Sequence, residues 1–121
     1  MKANKKNISI FIIWLVHVSG FMGMLFYDLD FFAGFTSVNL LLMSIILFLN
    51  IKLDSKYHIL LILSIFLIGM ITESLGVNYG LIFGDYEYGN NLGFKLFGVP
   101  YLIGVNWIIL TVISGNIASF L

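Results

Sequence analysis

Cysteine is absent from this 121-residue chain, and so is arginine; all six basic residues are lysines. Without thiols there are no disulfides, no thiolate-held iron–sulfur clusters and no thiol catalysis. The formal net charge is zero, so there is no basic surface to neutralise phosphates, which excludes nucleic-acid binding. Charge of either sign is scarce, at 10% of residues against about 25% in a soluble domain. Chemistry in such a chain falls to carboxylates, two histidines, tyrosines, lysines and amides.

What fills the space is apolar. Hydrophobic residues make up 60% of the chain and the mean hydropathy is +1.05, the composition of an integral membrane protein. Runs such as Ile8–Phe26 and His58–Ile71 are continuously apolar rather than alternating. Membrane barrel strands alternate over about ten residues, so the period selects helices. Four spans follow: Ile8–Tyr27, Phe31–Leu49, Tyr57–Val77 and Val99–Phe120. Each is about 20 residues, enough at about 1.5 Å per residue to cross a hydrocarbon core of roughly 30 Å. The expected fold is all-α, a polytopic transmembrane helix bundle forming a single integral membrane domain over residues 1–121. The first segment is too long for a cleaved leader and is read as a retained anchor.

Lysine sets the expected orientation. Lys2, Lys5, Lys6, Lys52 and Lys56 fall on one side if the spans alternate, and Lys95 alone falls on the other. The positive-inside bias makes the first side, with the N-terminus, cytoplasmic. Residues 78–98 form a long outer loop rich in glycine, tyrosine and asparagine, whose aromatic content argues for a folded cap or a partly re-entrant segment. The chain stops after Ile113–Leu121 without a polar or basic tail, so the expectation is the N-terminal part of a longer fold.

Polar residues inside the spans carry the functional reading. Glu73 near the outer end of span three costs on the order of 2.5–3.5 kcal/mol if ionised in hydrocarbon, so it pairs, faces a wet cavity or stays protonated. Asn39 in span two and Asn106 in span four reach similar depths, and the three together would make one polar pocket. For the asparagines the plainer alternative is interhelical hydrogen bonding worth about 0.6 kcal/mol. His17, three residues after Trp14, is either a satisfied core histidine or a pocket residue; His58 lies at no ligand spacing from it, so no metal site is expected. Gly69, Gly76 and Gly80 clear one helix face for close packing. Asp85 and Glu87 read as solvated, and Tyr86 and Tyr88 as an interfacial aromatic belt.

From Glu73 to Trp107 the sequence resembles the bacterial and archaeal carotenoid biosynthesis membrane proteins, which include the carotenoid 1,2-hydratases of acyclic end groups. The resemblance rests on Glu73, Gly76, Gly80, Phe83, Gly84, Tyr86, Tyr88, Leu92, Gly93, Val99, Pro100 and Trp107, about a third of the chain. Tyr79 departs from it, standing where a small hydroxyl residue is common. The resemblance implies a prokaryotic cell-membrane enzyme that protonates a terminal alkene and lets water capture the tertiary cation. Glu73 would be the general acid, with Asp85 or Glu87 orienting water. Tyr86, Tyr88 and Trp107 would face the cation, and Asn39, Asn106 and His17 would line the substrate site. The substrate would be a carotenoid held in the lipid bilayer, and no organic cofactor is implied because the addition changes no net redox state. Partner helices or a second copy would complete the bundle.

Three other functions fit the same residues. End-group cyclisation starts from the same protonation. Conduction of protons or solutes through Glu73 and His17 requires a polar line to the cytoplasm, of which span three offers only Ser64 and Lys56. A non-catalytic subunit is the last.

Overall fold

The computed structural model describes residues 4–121, which are mostly helical. Its elements are α1 (Lys5–Phe26), α2 (Leu29–Ala33), α3 (Thr36–Asn50), α4 (Lys56–Tyr79), β1 (Lys95–Leu96), β2 (Val99–Pro100) and α5 (Tyr101–Ala118). Among the described residues, four stretches are long and apolar enough to cross a membrane, with α2 and α3 together counting as one of 22 residues. The all-α, polytopic class expected from composition is therefore borne out. The chain divides into two compact units, Met1–Ile51 and Lys52–Leu121.

In the first unit α1 packs on α2 and α3. Asp28 caps α2 by accepting from the Phe31 amide at 2.8 Å, satisfying one of the donors a helix start leaves free. Where a continuous second span is expected, the helix tightens at Gly34 and Phe35, whose amides bond back to Asp30 and Phe32. The Thr36 hydroxyl donates to the Ala33 carbonyl at 2.6 Å across this turn. At the other end, Asn50 donates to Ser9 at 2.9 Å and Lys5 reaches the Leu49 carbonyl, tying α3 to the start of α1.

The second unit is an α4–α5 pair closed by the residue 80–98 loop. Ser55 caps the start of α4 through the Tyr57 amide. Gly80 ends it in the left-handed region, φ +64°, a conformation that favours glycine. The long outer loop is an ordered structure. It contains a two-residue β1–β2 hairpin whose turn residues, Phe97 and Gly98, both have positive φ, as a tight hairpin requires. The Asn78 side chain donates to the Phe97 carbonyl at 2.8 Å, which fastens the hairpin tip to the end of α4.

Close approach of α4 and α5 depends on glycines. A Cβ on Gly69 would lie 2.6 Å from Trp107 Cγ, and one on Gly104 would lie 2.6 Å from the Phe66 ring. Each glycine thus receives an aromatic side chain from the opposite helix. Met70, Val99 and Ile103 form the buried core beside these contacts. Gly69→Ala should destabilise the protein by about 1–3 kcal/mol through overpacking, because Trp107 is contacted at the root of its side chain and cannot swing clear. Gly115→Ala, where a Cβ meets nothing within 4 Å, should be neutral or stabilising by up to about 1 kcal/mol. Unfolding titrations in detergent check the pair; equal stability for both variants would remove the packing explanation.

Candidate functional site

Glu73 sits six residues before the end of α4, a depth of about 9 Å along the helix axis. Only 9% of its surface is exposed. It lies on one face of α4 with Gly69, Met70 and Gly76, all buried. An isolated carboxyl there would be costly, and the chain supplies three donors to it. Trp107 on α5 donates from Nε1 to Oε1 at 3.0 Å. Tyr86 and Tyr88 donate to Oε2 at 2.6 and 2.8 Å.

The local sequence explains how the phenols reach. Residues 85–88 run Asp-Tyr-Glu-Tyr in non-helical chain, and successive side chains in extended backbone point to opposite sides. Tyr86 and Tyr88 are half-buried while Asp85 and Glu87 are exposed. Their rings meet edge to face with centroids 5.7 Å apart. A Cβ on Gly76 would lie 2.5 Å from the Tyr86 hydroxyl, so the missing side chain is the space the phenol occupies. The Lys95 ammonium holds the Tyr88 carbonyl from behind.

The two carboxyl oxygens are not equivalent. An indole N–H can only donate, so Oε1 is fixed as an acceptor. Oε2 is the oxygen on which a proton would find a partner, because it lies between two hydroxyls that can each donate or accept. Rotation of one phenolic O–H is enough to pass from the ionised to the protonated arrangement. The phenols themselves hold their protons tightly. Burial first, then the hydrogen bond to Glu73 and its charge, push Tyr86 up to about 12. The same causes raise Tyr88.

Of the expected site residues, the structure brings together Glu73, Tyr86, Tyr88 and Trp107. Tyr86 and Tyr88 act through their hydroxyls, a contact that the aromatic-belt and cation-face readings did not contain. Asp85 and Glu87 are not brought to Glu73, because chain alternation turns them outward. Asp85 instead sits against Gly80, where a Cβ would lie 2.5 Å from its Oδ1. Asn106 is half-buried on α5 beside Trp107 and makes no side-chain hydrogen bond among the described residues. In the first unit, His17 Nδ1 lies 2.9 Å from the Ile13 carbonyl of its own helix. Asn39, also in that unit, has an enclosed Oδ1 with no partner. No group of three or more metal-ligating side chains occurs among the described residues. Gly69 and Gly76 do clear a face of α4, but for Trp107 and Tyr86, while Gly80 serves as the cap.

A family model described as "Carotenoid biosynthesis protein" matches residues 31–121, which include the whole of this constellation. The match covers well over half of the chain, so the chain belongs to that family. Neither curated proteins nor solved structures give a match.

The phenols make the site testable by pH. Docking that relies on protonated tyrosine is complete below the ordinary value of 10.0 and is lost as pH rises through about 12. An absorbance titration should show a tyrosine component that ionises only as pH approaches 12, and this component should shrink in Tyr86→Phe. If the titration curves of the two proteins differ only by one phenol ionising at its ordinary value, the contact with Glu73 is absent.

Proposed function

We propose that this member of the carotenoid biosynthesis protein family adds water across the terminal 1,2 double bond of an acyclic carotenoid, with Glu73 as the proton donor. The observation that carries the reading is the asymmetric carboxyl of Glu73: one oxygen pinned by Trp107, the other set against two exchangeable phenolic protons.

The reaction needs a proton delivered to carbon in a water-poor setting, then one controlled water. The Oε2 proton of Glu73 adds to the less substituted alkene carbon, and the π electrons form the new C–H bond. A tertiary cation remains at the other carbon. Water attacks that cation, and the proton it sheds returns to the carboxylate, so the alkene and one water become a tertiary alcohol. Trp107 supplies an aromatic face near the developing positive charge. With Asp85 and Glu87 turned outward, Tyr86 and Tyr88 are the hydroxyls nearest the carboxyl, and they take the role of handing the proton between water and Oε2. Asn106, next to Trp107 on α5, is assigned to the substrate side of the same helix. The polyene remains in the bilayer; the lysine bias supports a cytoplasmic N-terminus, and the resemblance supports a prokaryotic cell membrane.

One observation favours a second reading. Glu73 already receives three hydrogen bonds that join α4, the loop and α5. A carboxylate used in this way is a structural clasp, and the protein would then be a non-catalytic subunit. Cyclisation shares the protonation step and differs in excluding water from the cation.

Expression in a lycopene-accumulating host separates these readings. Hydration predicts a more polar pigment carrying heavy oxygen from labelled water. Glu73→Gln, which keeps the acceptor for Trp107 but lacks the acid, should lower product by at least about a hundredfold. A cyclised hydrocarbon would overturn hydration, and unchanged pigment from the intact chain would favour the clasp.

A further inference from the structure

The loop of residues 80–98 is divided by composition. Its two ends, next to α4 and α5, carry large apolar side chains that are exposed: Ile82 at 67%, Phe83 at 55%, Phe94 at 90% and Phe97 at 74%. Its middle carries the exposed polar residues Asp85, Glu87, Asn90 and Asn91. Backbone strain marks the same two ends. Among the described residues, the non-glycine positions with positive φ are Ile82, at 75°, and Phe97, at 49°. A β-branched or bulky residue is disfavoured there, whereas asparagine or glycine fills a tight hairpin turn without that cost. Neither side chain is buried within the chain, so the contact that favours an apolar residue at each position lies outside it.

The depth of the hairpin identifies that contact. α4 begins at Lys56, and a hydrocarbon core of roughly 30 Å takes about 20 residues of helix, which places the far boundary near Val77. A Cβ on Gly98 would lie 3.0 Å from Val77 Cγ1, and the Asn78 side chain holds the Phe97 carbonyl at 2.8 Å. The hairpin tip therefore sits level with the edge of the hydrocarbon. Lys95, the charged residue of the tip, turns its ammonium to the Tyr88 carbonyl, back toward the polar middle of the loop.

We propose that the two apolar ends of this loop are a bilayer-contact surface, with Ile82, Phe83, Phe94 and Phe97 among the acyl chains and Asp85, Glu87, Asn90 and Asn91 in water. The surface does not depend on the reaction proposed for Glu73. Tyr86 and Tyr88 lie in the chain between the two contacts, so lipid steadies the segment that brings both phenols to the carboxyl.

The test uses spin labels on single cysteines in the full chain, reconstituted in phosphatidylcholine vesicles; the chain has no cysteine of its own. Labels on Phe94→Cys and Phe97→Cys should collide with oxygen and lose contact with a water-soluble nickel chelate, whereas a label on Asn90→Cys should keep it. Chelate access at the first two labels equal to that at Asn90→Cys would place the tip in water and overturn the proposal. Labels closed to both oxygen and chelate would overturn it too, because a protein partner would then cover the tip. Phe97→Asn suits the left-handed turn at least as well as phenylalanine, so it keeps the hairpin while removing one apolar contact. It should raise chelate access at the Phe94→Cys label; no rise would overturn the assignment of Phe97 to the acyl chains.

Discussion

A carboxyl placed inside an apolar helix has to be paired, and in this protein that requirement organises the second unit. Glu73 is joined by Trp107 from α5 and by Tyr86 and Tyr88 from the loop, so one side chain links three separate stretches of chain. Glycine appears where those partners must come close: Gly69 beneath Trp107 and Gly76 beneath Tyr86. The left-handed cap at Gly80 then turns the chain out of the helix so that residues 85–88 can run past the carboxyl. Asn78 and Lys95 hold the loop in that path from its two sides.

The spans were legible in the sequence because continuous apolar runs leave little choice of structure in lipid. The third span is the instructive case: it was expected over Tyr57–Val77 and extends over Lys56–Tyr79, one residue further at its start and two at its end. Its end is set by Gly80, a signal present in the sequence but read as a packing residue. Glu73 stood out for the same physical reason that it is paired, the cost of an acid in hydrocarbon. The partners were harder to read. Similar depth in three spans points to Glu73, Asn39 and Asn106 as one polar set, but depth alone does not name the Trp107, Tyr86 and Tyr88 donors that Glu73 has within the second unit. The Asp-Tyr-Glu-Tyr alternation did contain the answer, since extended chain sends the tyrosines one way and the acids the other. Reading it requires knowing that the loop is non-helical there, with Tyr86 and Tyr88 half-buried and Asp85 and Glu87 exposed. The short hairpin at Phe97 and Gly98 left no usable trace, because a phenylalanine with positive φ is uncommon and depends on its tertiary contacts.

The same geometry that stabilises the carboxyl also underlies the proton chemistry proposed for it. Donors on both oxygens would describe a simple anchor if all of them were fixed. Trp107 is fixed, but the two phenols are reversible hydrogen-bonding groups, so the carboxyl can change protonation while keeping its place. In the proposed reaction, that division between a pinned and an exchanging oxygen is what would serve acid-catalysed addition, without the second carboxylate that the loop sequence offers. In the first unit the polar group that stands out has the opposite character: Asn39 Oδ1 is enclosed without a partner.

The contact between Glu73 and its donors is accessible to isotope-edited infrared spectroscopy of that one carboxyl in lipid, with Glu73→Gln as the blank. The frequency should shift when Trp107 is replaced by phenylalanine and shift differently when Tyr88 is, because the two donors hold different oxygens. A carboxyl band that ignores both replacements would mean that Glu73 is solvated by water or lipid headgroups, and neither the clasp nor the proton donor would survive.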